Sequence, residues 1–269
     1  MILFPNSKIN IGLHIIRKRS DGYHDLESLF YPIPLKDVIE IFPSNHFQLK
    51  ISGLTIPGDE RHNLCVRAYQ LLKKVFPEIP SVSIYLHKNI PLGSGLGGGS
   101  SDGAFMLTLL NDAFQLNLSA EQLLEYATQL GSDCPFFILN KPSFVRGRGE
   151  LLEPFPVNLS DYSIALINPG IHINTEWAFS KVKPHQPKKS LKEIIKQPLT
   201  SWPSQLVNDF EEPVFKEYPA LKNIKQELYD SGALYASMTG SGSSLYGIFN
   251  KNVIPSFSFE PNFRIDILK

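Results

Sequence analysis

Cysteine, tryptophan and methionine are scarce in this chain, which has only two, two and three of them among 269 residues. Cys65 and Cys134 lie far apart, and the residues around them lack the Cys/His spacing of metal ligands, which argues against a zinc site. Two isolated cysteines suit a reducing compartment, so we expect a cytoplasmic protein. The chain also lacks the run of about 18 apolar residues that a membrane helix requires. Its short apolar start is interrupted by Pro5 and Lys8, too early for a signal peptide.

An excess of charge of either sign is absent as well, because 26 basic residues balance 26 acidic ones. No basic stripe suggests a nucleic-acid partner, and no polybasic amphipathic segment suggests a membrane surface. We therefore expect neither a nucleic-acid nor a membrane partner, and the neutral charge is consistent with a monomer or a weak homodimer. The length suits one large domain or two domains of ordinary size.

Glycine, in contrast, is concentrated in one place. Five glycines fall between Gly93 and Gly99, two serines follow, and a helix-periodic apolar pattern continues to about residue 114. Glycines at the start of a helix let backbone N–H groups converge without obstruction by Cβ atoms, and the helix N-terminus adds free amides and the positive end of its dipole. The stretch predicts an anion cradle for a phosphate group, with a flexible Gly/Ser linker as the alternative.

Three familiar kinds of phosphate loop do not fit this stretch. A Walker A loop needs Lys and then Ser or Thr after its last glycine, whereas Gly98 is followed by Gly99. The spacing of a dinucleotide-binding loop is present, but the second strand and the acidic residue that should follow are not. The chain also has neither the His-Arg-Asp nor the Asp-Phe-Gly sequence of protein kinases. The loop belongs to another class, with serines placed to contact phosphate or a metal.

The N-terminal strand brings two polar residues onto one face. Apolar and polar residues alternate from residue 8 to residue 15, so Lys8 and Asn10 point the same way, about 7 Å apart. Lys8 is either part of a site or a solvated charge at a strand edge. Tyr23 and His24 follow an Asp-Gly turn, where they could face a ligand or be structural.

A carboxylate and a second glycine cluster occur further along the chain. Asp133 lies between a predicted helix C-cap at Gly131 and an apolar Pro-Phe-Phe segment, as either a general base or a turn residue. Residues 238 to 244, Met-Thr-Gly-Ser-Gly-Ser-Ser, join two apolar strands in a hairpin whose amides could bind an anion. A second such loop in the other half of the chain suggests a site between two domains.

Taken together, these segments resemble the GHMP kinase superfamily. Lys8-Ile-Asn10 looks like its first motif, residues 91 to 104 like its second, the ATP phosphate loop, and residues 238 to 244 like its third. Asp21-Gly-Tyr-His24 and Gly131-Ser-Asp-Cys-Pro135 are similar to members that phosphorylate a cytidine-diphosphate-linked methylerythritol for non-mevalonate isoprenoid synthesis. The resemblance spans residues 6 to about 249.

The resemblance implies a role for each of these side chains. Asp133 would take the proton of the substrate's 2-hydroxyl, while Lys8 would hold Asp133 ionised and offset charge on the transferring phosphoryl group. Asn10 would help place the methylerythritol part. His24 would hydrogen-bond the cytosine edge, and Tyr23 would stack on one face of the ring.

The resemblance also implies ATP and Mg²⁺ as cofactors. Phe179 falls where the second stacking aromatic is expected, with Trp177 as the alternative, and Gly240 and Ser241 would contact substrate. Ser100 and Ser101 would meet phosphate and Mg²⁺. The residues implied for the nucleotide are Asn63, Lys88, Pro91, Leu92, Gly93, Ser94, Gly95, Leu96, Gly97, Gly98, Gly99, Ser100 and Ser101.

The fold implied is α+β with two domains and an active site in the cleft between them. Residues 1–156 would form the N-terminal ATP-binding domain and residues 157–269 the C-terminal domain. The residue pattern itself predicts helices near residues 191 to 196, 206 to 215 and 219 to 231. Two alternatives stay open: another GHMP kinase, acting on mevalonate, homoserine or a sugar, and a nucleotide-binding module without catalysis. The Tyr23-His24 pair disfavours another GHMP kinase, and the presence of both Lys8 and Asp133 disfavours a module that only binds nucleotide.

Overall fold

The computed structural model describes all residues from 1 to 269 and contains twelve β-strands, eight α-helices and two 3₁₀ helices. The strands are β1 (Ile2–Leu3), β2 (Asn6–Lys18), β3 (His24–Lys36), β4 (Val38–Pro43), β5 (Gln48–Gly53), β6 (Val82–Lys88), β7 (Ser143–Arg146), β8 (Leu151–Pro154), β9 (Tyr162–Asn168), β10 (Tyr235–Met238), β11 (Leu245–Asn250) and β12 (Arg264–Leu268). The α-helices are α1 (Leu64–Val75), α2 (Gly98–Ala113), α3 (Ala120–Leu130), α4 (Cys134–Leu139), α5 (Thr175–Lys181), α6 (Leu191–Ile195), α7 (Glu211–Glu217) and α8 (Pro219–Asp230), and the 3₁₀ helices are Glu60–His62 and Leu199–Ser204. No helix has the length and apolar character needed to span a membrane.

The chain divides into two compact units. The first unit comprises Met1–Lys8, Pro32–Leu92 and Gly97–Lys141. It contains a four-stranded sheet in the order β1-β4-β6-β5, in which only β5 and β6 run parallel, and the helices α1 to α4. Helix α1 packs on α2, and the sheet and these helices bury an aliphatic core.

The second unit comprises Ile9–Tyr31, Gly93–Leu96 and Pro142–Lys269. Its antiparallel sheet has the order β10-β11-β9-β12, and helix α8 packs against β10 and β11. A further sheet has the order β2-β3-β7-β8, and β2 and β3 each continue along the chain into the first unit. The mixture of antiparallel sheets and helices is the α+β fold that the sequence predicts.

Several local predictions are confirmed. The Ser-Ala-Glu-Gln sequence of residues 119 to 122 is typical of a capping box, and in α3 Ser119 and Gln122 exchange the side-chain and backbone hydrogen bonds of that motif, with Gly131 as the predicted C-cap. The hairpin pairs β10 with β11 antiparallel on either side of the second glycine cluster. These features depend on residues close together in sequence, which is why the pattern alone identifies them.

One local prediction differs from the structure, and one strand has no counterpart among the predictions. The helix expected over residues 206 to 215 begins only with α7 at residue 211, because the Asn208 side-chain amide donates to the carbonyl oxygens of Met238 and Gly240, at 2.8 and 2.9 Å. Leu13 also forms a parallel bridge with Asn208, so tertiary hydrogen bonds override the helical pattern here. Strand β12 was not predicted. Its two isoleucines are each 42% exposed, as suits an edge strand.

Candidate active site

The glycine-rich loop forms the start of helix α2 in a conformation that only glycine adopts readily. Gly97 is the N-cap, with a φ of 71°, and no side chain caps the helix. The first amide bonded within the helix is that of Ser101, which donates to the Gly97 carbonyl at 2.9 Å. The amides of residues 98 to 100 therefore lack intrahelical acceptors and are available to an anion.

Gly95, in the middle of the loop, has a φ of 78°, and a Cβ atom there would collide with the carbonyl oxygen of Thr239. Ser94 is buried, and its carbonyl oxygen accepts the Ser244 N–H at 3.2 Å. Both contacts lie within the second unit and join the first glycine cluster to the second. A side chain at residue 95 would force these two backbones apart.

Lys8 and Asp133, the predicted catalytic pair, form an ion pair in the first unit. The Lys8 Nζ lies 3.6 Å from Asp133 Oδ2. The lysine side chain is 4% exposed, whereas the aspartate side chain is 31% exposed. Lys8 is therefore not the solvated edge charge that was the alternative. Asp133 precedes α4, and its side chain makes no capping hydrogen bond, so its carboxylate is not used to cap the helix.

Burial governs the charge of Lys8. Removal from water lowers the pKa of its ammonium, and the Asp133 carboxylate partly opposes that shift by charge attraction and hydrogen bonding. When this buried amine is protonated, water screens its positive charge poorly. Such a charge can act on a neighbouring phosphoryl group.

Lys88, predicted to lie near the nucleotide, is held in a buried cluster with Asp37 and Asp102. Its Nζ forms ion pairs with both carboxylates, at 2.6 Å from Asp102 Oδ2, and all three side chains are at most 4% exposed. The other oxygen of Asp37 accepts the N–H groups of Asn89 and Ile90, at 2.6 and 2.8 Å. The cluster thus joins the strand before the loop to the helix after it, which makes Lys88 a positioning residue in this structure.

The cluster contains two carboxyl groups and one amine, and this composition determines which of the three groups hold a proton. Burial raises the pKa of Asp102, as does the neighbouring Asp37, while Lys88 opposes them. Burial lowers the pKa of Lys88, but the two carboxylates outweigh it and raise that pKa overall. With the pKa of Lys88 raised and that of Asp102 raised to about 8, a charged Lys88 and a protonated Asp102 lower the cost of burying the cluster near neutral pH.

The serines after the glycines differ in environment. Ser101 is fully buried, and its hydroxyl has no hydrogen-bond partner. Ser100 is half-buried and hydrogen-bonds the Cys134 thiol, whose pKa burial raises to about 12. Because buried hydroxyls are normally paired, the unpartnered Ser101 oxygen is suited to a phosphate or a metal ligand.

Asn63 caps α1 by accepting the Cys65 N–H at 2.9 Å. Pro91 is half-buried at the entrance of the loop, Leu92 is 38% exposed and Leu96 is buried. The structure therefore gives Asn63 a local structural role and leaves Leu92 accessible.

Asn10 and Thr239 form the centre of a hydrogen-bond network in the second unit. The Asn10 N–H donates to the Thr239 hydroxyl at 3.1 Å, and the Asn10 amide donates to Ser28 at 2.9 Å. The Thr239 hydroxyl lies within 3.2 Å of Asn10 Oδ1 and 3.0 Å of the Gly95 carbonyl, and it can donate to one of them at a time. Tyr246 donates to the Asn10 carbonyl at 2.7 Å. Asn10 therefore supports both glycine clusters.

The aromatic residues after the Asp-Gly turn meet Phe179 of helix α5. The rings of His24 and Phe179 stack with centroids 5.0 Å apart and planes at 21°. Tyr23 is 56% exposed, and the Arg148 guanidinium lies over its ring, 4.9 Å from the centroid. Trp177 packs edge-on to Tyr218 instead, so of the two candidates for stacking, Phe179 is the one beside His24.

The pKa of His24 is lowered mainly by burial and also by Lys18, so its ring is neutral near neutral pH. A neutral imidazole has one donor and one acceptor nitrogen, and a pyrimidine edge has groups of both kinds. The remaining predicted residues, Gly240 and Ser241, are half-buried. The Ser241 hydroxyl lies 3.2 Å from that of Thr175, at the start of α5.

Four residues with clear roles in this arrangement were absent from the predicted site: Asp37, Asp102, Thr239 and Asn208. Asp102 and Thr239 lie inside the two glycine-rich motifs, so their positions in the sequence could have indicated that they belong to the site. Asp37 and Asn208 act through hydrogen bonds to residues far away in sequence, and nothing in their immediate neighbourhood indicates that role.

Comparison with known proteins identifies matching family models, a sequence relative and solved structures with a similar fold. The family models for the GHMP kinases N terminal domain and the GHMP kinases C terminal match residues 63–141 and 188–256. A 4-diphosphocytidyl-2-C-methyl-D-erythritol kinase of Bacteroides fragilis is 52% identical over 98% of this chain and 97% of its own length. A crystal structure of 4-(cytidine 5'-diphospho)-2C-methyl-D-erythritol kinase is 31% identical with a TM-score of 0.80, covering 92% of this chain and 90% of that one. A homoserine kinase from Cytophaga hutchinsonii is 17% identical with a TM-score of 0.66, over 92% of this chain and 85% of that one, and shares the fold.

Proposed function

Because the chain belongs to the 4-diphosphocytidyl-2-C-methyl-D-erythritol kinases of the GHMP kinase superfamily, we propose that Asp133 and Lys8 carry out its phosphoryl transfer. In the proposed reaction, which would belong to isoprenoid precursor synthesis, ATP phosphorylates the 2-hydroxyl of 4-diphosphocytidyl-2-C-methyl-D-erythritol, the compound in the relatives' names. The observation that supports the proposal for these two residues is their ion pair, in which a buried ammonium lies beside a partly exposed carboxylate.

The two side chains have complementary tasks in the proposed mechanism. Asp133 accepts the proton of the substrate hydroxyl as its oxygen attacks the γ-phosphorus. Lys8 keeps Asp133 ionised in the ground state and offsets the charge on the transferred phosphoryl group. Phosphoryl transfer depends mainly on alignment and charge compensation, so a fixed, poorly screened cation is effective there.

The loop amides and the serines are proposed to hold the nucleotide phosphates. The free N–H groups at the start of α2 would bind phosphate oxygens, and the unpartnered Ser101 hydroxyl together with Ser100 fits Mg²⁺, which takes oxygen ligands. When bound, Mg²⁺ would neutralise phosphate charge. Asn63 and residues 91 to 99 would surround the nucleotide, and Lys88 would act by fixing the loop.

In the second unit, we assign the substrate's cytidine to the aromatic residues. His24 would hydrogen-bond the cytosine edge, Tyr23 and Phe179 would stack on the ring, and Asn10, with Gly240 and Ser241, would position the substrate. The stacking of His24 on Phe179 supports Phe179 over Trp177. The proposed domain boundary follows residue 156, between the segments that the two family models match, and the proposed location is the cytoplasm.

Substrate choice is tested by ADP release with Mg-ATP and three acceptors in parallel: the cytidylyl substrate, mevalonate and homoserine. We expect turnover with the cytidylyl substrate alone. Turnover only with mevalonate or homoserine would contradict the substrate, and no turnover with any acceptor would favour a binding module.

His24→Ala is expected to raise the KM for the cytidylyl substrate about tenfold and to leave the KM for ATP unchanged, because hydrogen bonds to the cytosine are lost. Steady-state kinetics with each substrate varied in turn measure both constants. His46→Ala, which removes an exposed histidine from a turn, is the matched control. An unchanged KM for the cytidylyl substrate in His24→Ala would refute the cytosine-binding role.

The pH dependence of kcat tests the charge of Lys8. Only the protonated amine compensates phosphoryl charge, so kcat falls as pH rises through its pKa, and burial places that fall below the pH at which an exposed lysine titrates. In Lys8→Arg the guanidinium stays charged, so the decrease of kcat at alkaline pH should move to higher pH. An alkaline limb at the same pH in both proteins would show that Lys8 does not cause it.

A further inference from the structure

A second cluster of chemically active side chains lies in the second unit, apart from the residues assigned to catalysis. The His14 Nδ1 is 3.2 Å from Asp209 Oδ1, and the His185 Nδ1 is 3.6 Å from Asp209 Oδ2. One ligand atom from each of the three residues lies within 4.8 Å of those of the other two. We propose that His14, His185 and Asp209 bind a divalent transition-metal ion of the zinc class.

The distances between the side chains fit such an ion. Zinc lies about 2.0 to 2.2 Å from histidine nitrogens and carboxylate oxygens in a tetrahedral site, which places neighbouring ligand atoms about 3.3 to 3.5 Å apart. The two nitrogen–oxygen separations, each to a different oxygen of Asp209, lie close to that range, and one ligand atom from each residue lies within 4.8 Å of the others, so side-chain rotations would bring the three ligands around one ion. Two imidazoles and one carboxylate form a borderline-soft ligand set that zinc and its neighbours prefer, whereas Mg²⁺ prefers oxygen ligands alone.

The backbone holds the three ligands in place. The Ile15 N–H donates to Asp209 Oδ2 at 2.7 Å, and the His185 N–H donates to the Ile15 carbonyl at 3.0 Å. The Asp209 N–H donates to the Leu13 carbonyl at 2.9 Å. Strand β2 therefore carries His14 and holds Asp209 and His185 through backbone hydrogen bonds. The Ile15 amide orients the Asp209 carboxylate, as hydrogen bonds from outside the coordination shell orient metal ligands.

The surroundings leave room for a fourth ligand. His14 is buried, with its side chain 4% exposed, while His185 is 51% exposed and lines, with Asp209, a groove of about 730 Å³. Four carboxylates and three lysines line that groove, which admits a cation without strong repulsion. Water or another small ligand in the groove would complete a four-coordinate site.

The ion would fasten the segment after α5 to strand β2. Phe179 lies on α5, and His185 lies in the loop that follows this helix. The sequence argument against zinc considered only local Cys/His spacing, whereas His14 and Asp209 are separated by 195 positions. The proposed role is structural, and no step of phosphoryl transfer involves it.

The test uses the full-length, tag-free protein after treatment with a chelator. Titration calorimetry with ZnCl₂ in excess Mg²⁺ should show one site per chain, and Co²⁺ should give the visible absorption of a tetrahedral nitrogen–oxygen site. His185→Ala should weaken Zn²⁺ binding more than about tenfold, since a ligand is lost. His46→Ala should bind Zn²⁺ as the unmodified protein does.

His14→Gln is a second variant, since it keeps a polar side chain beside Asp209 but removes the imidazole. His14→Gln should also lose Zn²⁺ binding. Its thermal denaturation in the absence of metal shows whether the variant folds. Because His185 is half exposed, His185→Ala decides the question even if His14→Gln unfolds. Absence of Zn²⁺ binding by the unmodified protein, or equal affinity in His185→Ala and His46→Ala, would overturn the proposal and leave a metal-free His-Asp-His hydrogen-bond network.

Discussion

Asp133→Asn is expected to lower kcat about 10² to 10⁴-fold, the contribution typical of a positioned general base. The substitution keeps the size of the side chain and removes its negative charge, so Lys8 loses its ion-pair partner and the substrate hydroxyl loses its proton acceptor. ATP affinity should change little, because the loop amides and serines, not Asp133, are proposed to hold the phosphates. Single-turnover kinetics and nucleotide titration measure the two quantities separately.

Comparison with Asp133→Ala distinguishes proton abstraction from orientation of the hydroxyl. Asparagine keeps an oxygen that can accept a hydrogen bond, so an orienting residue would retain most of its activity in Asp133→Asn and lose it in Asp133→Ala. A base loses activity in both variants. Asp112→Asn, an exposed change near the end of α2, is the matched control. Full activity in both Asp133→Asn and Asp133→Ala would remove the residue from the mechanism.

Lys88→Met is expected to lower the free energy of unfolding by about 3 to 5 kcal/mol, because it leaves the buried carboxyl groups of Asp37 and Asp102 without the cation that both contact. Methionine retains most of the side-chain volume, so the loss reflects uncompensated charge more than a cavity. Denaturant unfolding at neutral pH measures the change. ATP binding should weaken as well, since the Asp37 carboxylate positions the backbone that leads into the glycine loop.

The neighbouring Lys36 is exposed, so Lys36→Met serves as the control for loss of a lysine and should alter stability little. Adding Asp102→Asn to Lys88→Met should recover part of the lost stability, since it removes one of the unpaired carboxylates. If Lys88→Met unfolded at the same denaturant concentration as Lys36→Met, the cluster would not stabilise the fold.

Much of the local structure could be predicted from the sequence. The capping box at Ser119, the helix that follows the glycine loop and the hairpin around residues 238 to 244 depend on residues within a few positions of one another. The prediction of a helix over residues 206 to 215 was wrong because Asn208 makes tertiary hydrogen bonds that no local pattern encodes.

For the candidate site, motif spacing identified the glycine loop, Lys8, Asp133 and the Tyr-His pair. It did not indicate that Lys88 is enclosed by two carboxylates or that His24 stacks on Phe179. Side-chain partners of this kind are separated by 14 or more positions, and the sequence alone is compatible with many other pairings.

The sequence by itself determined the family resemblance, the phosphate loop and the residue types available for chemistry, because glycine conformations and helix starts depend on near neighbours. Only the tertiary structure decided which charges are buried and what they face. Burial sets the cost of a charge, and a partner across the fold offsets it. For this reason three groups of side chains are recognisable only in the folded chain: Lys8 with Asp133, Lys88 with Asp37 and Asp102, and His14 with Asp209 and His185.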